Sequence, residues 1–402
     1  MIYDYIIIGG GIVGASTAWQ MQQLYPKKKI LLLEKAPDFA KHQTGHNSGV
    51  IHAGVYYQPG SMKAEFCRRG ASATKTFCDQ NNIPYMQCGK LLVATNAHEM
   101  ELMQALIERC KQNMLDIEIL DSKQLRREEP NITGLGGILV KTTGIVDYKR
   151  VTKRMADRFF ALDGNALLEH EVTDIRESDT DIRVYTTCCG EKNLFKGRFL
   201  ITCAGLQSDR IVRMLNIPTG FQIIPFRGEY YELSSDNDNI IKHLIYPIPD
   251  PDLPFLGVHL TRMIDGSVTI GPNAVLGWKR EGYDRINIDI KDARDTLTFP
   301  GFWAFFKRYY KTGLLELKDS LWPPGYLKLV QKYCPKVKLA DLRPYPAGIR
   351  AQAILKDGTM VHDFLFAESK RSLHVCNAPS PAATSAIPIG EYICKRVAEK
   401  TL

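Results

Sequence analysis

Apolar residues at the start of the chain form an unbroken run, Tyr5 to Ile8, followed by a glycine-rich turn and a helical stretch that ends near Tyr25, with Pro26 just beyond. A second unbroken run, Ile30 to Leu33, ends at Glu34. Short continuous apolar runs are what strands buried on both faces of a parallel sheet show, and the proline marks a helix stop. The pattern predicts strand, tight turn, helix, strand. Nowhere does an apolar run approach the roughly 18 to 20 residues needed to cross a bilayer.

Within that unit Gly9, Gly11 and Gly14 fit G-x-G-x-x-G, and Glu34, with Lys35 beside it, closes the second strand twenty residues after Gly14. Each piece suits a dinucleotide. The first glycine permits the turn, the second lets backbone approach a pyrophosphate, and the third lets helix and strand pack closely. The helix N-terminus offers free N–H groups to phosphate, while the acid suits adenosine ribose hydroxyls. A nicotinamide enzyme would continue with further strand–helix units. This chain runs instead into HQTGHNSGVIHAGVYY, residues 42–57, which favours FAD, with the segment running along the cofactor towards its isoalloxazine ring.

Composition narrows the class. The chain has 402 residues, room for two domains or one α/β unit with an inserted lobe, and is 45% hydrophobic and 24% charged. A net charge of +8 is modest for nucleic-acid binding, and no nucleic-acid motif is present; the excess suits an anionic small substrate or an anionic membrane surface. Ten scattered cysteines without CxxC or zinc spacing suggest a reduced cytosolic protein. No signal peptide is expected ahead of the first strand, so the protein is read as soluble or peripheral.

Longer stretches carry a resemblance. The segments HQTGHNSGVIHAGVYY, CGKLLVAT, TGIVDYKRV, TCAGLQSDR, PFRGEYY, YPIPDPDLPFLGVHLT, PAGIRAQ and NAPSPAATSAI are spread from near the N-terminus almost to the end. The chain resembles the glycine-oxidase and glycerol-3-phosphate-dehydrogenase type of FAD oxidoreductase and, within it, the L-2-hydroxyglutarate dehydrogenase family. The resemblance implies an α/β fold: a discontinuous Rossmann-like FAD-binding domain (1–87, 145–214 and 341–402) with an inserted mixed-sheet α+β substrate domain (88–144 and 215–340). Strands are expected in CGKLLVAT, PFRGEYYEL, FLGVHLT and SVTIGP, and a helix in TGIVDYKRVTKRMADRFF. Val172 should lie against the adenine, Ala204 and Gly205 close over the cofactor, and Ala383 and Thr384 lie near the ring. Ser380 suits the N-cap of a last helix and Pro381 its first turn, while Pro388 should end or kink it.

The implied reaction is oxidation of L-2-hydroxyglutarate to 2-oxoglutarate, with hydride passing from C2 to flavin N5 and electrons going on to a membrane quinone. The three histidines of 42–57 share no helical face, and no carboxylate lies among them, so no metal is expected. Thr44, Asn47 and Ser48 should bond phosphate or ring atoms. His52, furthest along the loop, is placed as the base for the hydroxyl proton, with His259 as its rival. His42 and His46 are read as structural or FAD-contacting. The carboxylates call for arginines: Arg350 first, then Arg227 and Arg262 unless ion pairs with Glu229 or Asp265 hold them. Tyr246, Asn377 and Ser380 would complete a polar wall. Two other readings share the motifs, an oxygen-using amino-acid oxidase and a non-catalytic flavoprotein partner. Finally, FPGFWAFFKRYYK (299–311) combines aromatic and basic residues in the manner of an interfacial anchor, which would put the protein on the cytoplasmic face of the inner membrane; the alternative is that its rings pack in the core.

Overall fold

The computed structural model describes residues 1–253, 256–284 and 287–401. Among them the chain forms one sheet of eight strands, one of nine and a small one of three. The first sheet begins as expected. Ile2–Ile8 lies between Ile30–Leu33 and Glu191–Thr202, parallel to both, and Ser372–Asn377 extends the parallel layer beyond Glu191–Thr202. Ile6, Ile7, Leu31 and Leu32 are fully buried, since helices cover one face and a second apolar layer the other.

The second sheet is mixed. Lys90–Ala94 pairs parallel with Leu244–Pro247, which leads antiparallel through His259–Arg262 and Val268–Gly271 to the long strand Phe221–Leu233. Phe255, at the start of the expected FLGVHLT strand, lies outside the described residues. The strand Leu342–Leu355 also belongs to this sheet: twelve residue pairs join it to Phe221–Leu233. The return to the first sheet thus comes after residue 355, later than the boundary at 341.

The last helix corrects one expectation and explains another. Residues 380–385 form turns, and the helix spans Ala386–Thr401, so Ser380 is not its N-cap. Pro388 falls in its first turn, where an N–H would have no intrahelical acceptor; the helix therefore runs through it without interruption.

The segment 299–311 divides. Its residues start a helix, Pro300–Leu321, that buries Phe302 and Phe305 with Phe299 against Ile224, Phe226 and Ile354. Trp303, Phe306 and Tyr310 stay exposed, and Leu314, Leu317 and Leu321 continue them at three- and four-residue steps along one face. No helix among the described residues is long and apolar enough to cross a membrane.

Candidate active site

A cavity of about 890 Å³ runs from the C-terminal ends of the parallel strands to the face of the second sheet. Such a position, outside the carboxyl ends of parallel strands, is where open α/β sheets bind ligands. Its two ends are built differently.

Backbone makes the nucleotide end. Gly9 has φ +110°, and a Cβ there would lie 2.4 Å from the carbonyl oxygen of Cys203; a Cβ on Gly14 would lie 1.8 Å from that of Gly9. Helix and strands could not approach so closely with side chains in between. A Cβ on Gly11 would meet only the Thr44 hydroxyl, at 3.3 Å, so the room in front of Gly11 belongs to the cavity. The helix Ile12–Leu24 has no side-chain cap and no acid in its first turn, leaving its N-terminus open to an anion apart from Ile12 N, which donates to Thr44 Oγ1 at 3.0 Å. Glu34 accepts from Gly10 N at 2.5 Å and Ala36 N at 2.7 Å, so its carboxylate shapes the turn as well as lining the cavity. Two of the cations here are paired: Lys35 with Glu281, and Arg210 with Asp292 and Asp295. Asn47, Val172, Ala204 and Gly205 line this stretch, and the His46 ring stacks on Tyr283 with centroids 3.7 Å apart.

At the other end side chains do the work. His52, Tyr56, Tyr57, Lys63, Tyr230, Tyr246, His259, Arg350, Asn377 and Ser380 come from seven separated stretches of chain. Thr384 braces the histidine loop: its hydroxyl accepts from His52 N at 3.1 Å and lies 2.9 Å from Tyr148 Oη. The His259 ring stacks on Tyr246 at 3.9 Å, and Lys90 Nζ lies 4.2 Å from the centroid of the same tyrosine. A cation, a phenol and an imidazole therefore share one row across three strands. Burial pushes the His259 pKa well below the ordinary value, and Lys90, Arg350 and His52 add to the effect. Burial does the same to His52, reinforced by Lys90 and Lys63. Both imidazoles are held neutral, the form in which a base accepts a proton. Asn377 donates through Nδ2 to the carbonyls of Val361 (3.1 Å) and Asp363 (2.9 Å), and its buried Oδ1 has no partner among the described residues.

Two expected arginines lie elsewhere. Arg227 is paired with Glu229, which also binds Asn273, and does not line the cavity. Arg262 lies one residue from Thr261, whose hydroxyl is 3.0 Å from His259 Nδ1; alternation along the strand turns Arg262 away from the face His259 uses. Lys63 and Lys90 were not anticipated. The signal for Lys90 was present, because a lysine inside the apolar run of CGKLLVAT must share a face with Leu92 and Ala94, and both are buried. Lys63 gave none; only the approach of its helix to residues 362–363 puts it in the site.

Residues 4–396 match the model of a family described as FAD dependent oxidoreductase. The chain is 54% identical over 396 residues to the L-2-hydroxyglutarate dehydrogenase of Escherichia coli K12, covering 98% of this chain and 93% of that protein. It is 43% identical over 397 residues to the enzyme of that name from Indibacter alkaliphilus, covering 98% of each. Among solved structures it resembles L-alpha-glycerophosphate oxidase of Mycoplasma pneumoniae (TM-score 0.78, 22% identity, covering 99% of this chain and 95% of that one). Glycine oxidase of Geobacillus kaustophilus is also similar (TM-score 0.73, 14% identity, covering 100% and 95%). The cradle in front of Gly11, the open helix N-terminus and the length of the cavity fit FAD. The chain belongs to the FAD dependent oxidoreductase family, with FAD as its cofactor.

Proposed function

We propose that this protein oxidises L-2-hydroxyglutarate to 2-oxoglutarate and delivers the electrons to a membrane quinone. The observation carrying this reading is the ring end of the cavity, where two neutral imidazoles, His259 buried and His52 half-buried, stand beside cationic side chains. The names of the relatives support the choice of acid. FAD, when bound, would supply the two-electron acceptor for the hydride from C2. His52 takes the hydroxyl proton; a base already neutral at working pH needs no prior deprotonation. His259 is the second candidate. Arg350 grips a substrate carboxylate through its planar fork, with Tyr246, Ser380 and the unpartnered Asn377 Oδ1 on the remaining wall. At the far end, Gly9, Gly11 and the helix N-terminus hold pyrophosphate with Thr44, Asn47 and Ser48. Glu34 and Lys35 hold the adenosine ribose, and Val172 lies along the adenine.

The test is anaerobic. L-2-Hydroxyglutarate should bleach the flavin absorbance of the purified protein while the D enantiomer, glycine, sarcosine and D-amino acids leave it unchanged. Bleaching by an amino acid and not by hydroxyglutarate would move the protein among the amino-acid oxidases. A quinone analogue should then reoxidise the flavin much faster than oxygen does.

Quinones reside in lipid, so delivery calls for a docking face, and the exposed stripe of the helix Pro300–Leu321 supports one. Lys307, Arg308, Lys311 and Lys318 flank its apolar residues, all exposed, as on a helix lying among anionic headgroups.

A further inference from the structure

Lys63 occupies a position that the fold alone does not explain. It is the second residue of the helix Met62–Gln80, and a cation in the first turn opposes the helix dipole. Its ammonium donates to the carbonyl of His362 at 3.2 Å and lies 5.0 Å from the centre of the Tyr57 ring. Among the described residues no carboxylate comes within ion-pair distance of it. Asp363, its acidic neighbour, is committed to backbone: one carboxylate oxygen accepts from Met62 N at 3.1 Å and the other from Phe364 N at 2.8 Å.

Charge around the cavity gives this a direction. The acids lining it are Glu34, Glu171, Glu281, Asp289 and Asp292, and they belong to the nucleotide end with Lys35 and Arg210. Among the described residues that line the ring end none is an acid, and Lys63 and Arg350 both line it and repel each other, with Lys90 behind the tyrosines. Two like charges facing one cavity suit a dianion. One carboxylate beside the C2 hydroxyl occupies Arg350. The second needs its own cation.

We propose that Lys63 is the counter-charge for the substrate's second carboxylate, and that this contact makes the protein select 2-hydroxy dicarboxylates over 2-hydroxy monocarboxylates. The inference rests on the hydroxy-acid reading above and specifies how that site measures its substrate.

The discriminating pair is L-2-hydroxyglutarate and L-2-hydroxyvalerate, which share a five-carbon chain and differ in ending on carboxylate or methyl. Flavin reduction in stopped flow separates the substrate Kd from the reduction rate. In Lys63→Met the Kd for hydroxyglutarate should rise about 30-fold or more, as when one partner of a charge pair is removed. The Kd for hydroxyvalerate should move far less, and Lys63→Arg should recover part of the loss. Equal losses for both acids, or no loss for either, overturn the proposal. A wild-type protein reduced by neither acid sinks the hydroxy-acid reading itself, a result visible before any variant is made.

Should Lys63→Met fail to hold FAD, the wild-type holoenzyme still decides the matter through pH. Burial pulls the Lys63 pKa down to about 8, with Arg350 pulling the same way and Asp363 and Cys67 opposing; Tyr57, His362 and His52 also stand near it. An ammonium that binds anion only when protonated gives a constant Kd below that pH and a rising one above it. Binding of 2-oxoglutarate, followed by the shift of flavin absorbance, should weaken more steeply than binding of 2-oxovalerate as pH passes about 8, because burial also pulls Lys90 down to about 8 and Lys90 acts on both acids. Parallel curves for the two acids overturn the proposal.

Discussion

The two ends of the cavity differ in what they are made of. The nucleotide end consists of backbone, two glycines that admit no side chain, an open helix N-terminus, and Lys35 and Arg210 already paired with acids. The ring end consists of side chains, two imidazoles stripped of their protons by burial and lysines without a carboxylate. A phosphate-binding cradle must be rigid and is needed in every turnover, so it is written into the main chain. A site that moves protons and picks one acid must hold charge in unstable balance, so it is written in groups whose state a substrate can change.

Substitutions at each end should separate the two kinds of construction, beginning with the glycines. Gly14→Ala sets a methyl 1.8 Å from the Gly9 carbonyl oxygen, backbone against backbone, with nothing flexible to give way. It should yield a protein without flavin and with a markedly lowered melting temperature. Gly11→Val meets only the Thr44 hydroxyl within the chain, so the apoprotein should melt near the wild-type temperature while the side chain fills the pyrophosphate path. Flavin absorbance after purification and thermal melting give the readouts. A Gly11→Val protein that keeps its FAD would show the cradle to be in the wrong place.

At the ring end, losses should appear in rate with FAD retained. His52→Ala should slow anaerobic flavin reduction by about 10² to 10⁴, the usual share of a general base. A wild-type rate in that variant would transfer the role to His259. The pH profile adds a finer reading. Because both imidazoles titrate well below the ordinary histidine range, reduction should stay level on acidification past about pH 6.5, where an unperturbed histidine would begin to protonate. Removing the nearby cation in Lys90→Met lowers the cost of protonating either ring, so the acid limb should move to higher pH. The movement will be partial, since burial is the larger cause and remains. An acid limb near pH 6.5 in the wild type would break the contrast.

The same division explains what could be read from the sequence. The strand–turn–helix–strand unit was legible because its parts are contiguous and each has one reason to be there; Gly9, Gly11, Gly14 and Glu34 all sit where the spacing puts them. The ring end was legible only in pieces. His52, His259, Tyr246 and Arg350 meet in one cavity, but Arg227 and Arg262 do not, because a strand sends alternate residues to opposite faces and an ion pair can satisfy an arginine anywhere. Lys63 depends on a helix crossing a loop three hundred residues later, and no local pattern contains that. Ser380 failed as an N-cap for a related reason: residues 380–385 fold as turns, and the helix starts only at Ala386.

The smallest effect on chemistry is expected furthest from both ends, on the helix Pro300–Leu321. Its aromatic residues fall into two groups with different duties. Phe302 and Phe305 are 4% and 6% exposed and pack with Phe226, whose ring lies 5.6 Å from that of Phe305, so replacing them would create cavities and unfold the lobe. Trp303 and Phe306 are 52% and 44% exposed; Trp303 Nε1 donates to Leu297 O at 2.8 Å, and the two rings lie 5.3 and 6.0 Å from that of Phe302. The double variant Trp303→Ser, Phe306→Ser should therefore melt within a few degrees of the wild type and reduce its flavin with hydroxyglutarate at the same rate. What it should lose is sedimentation with vesicles containing anionic lipid and, with it, turnover with a long-chain quinone embedded in those vesicles, while turnover with a soluble acceptor persists. Adding salt should weaken the wild-type attachment in part, because Lys307, Arg308 and Lys311 contribute screened attraction and the rings contribute burial that salt does not screen. If the wild-type protein never sediments with anionic vesicles, and instead the double variant changes its oligomeric state in solution, the stripe is a contact between copies of the chain, and the electrons reach their acceptor by another face.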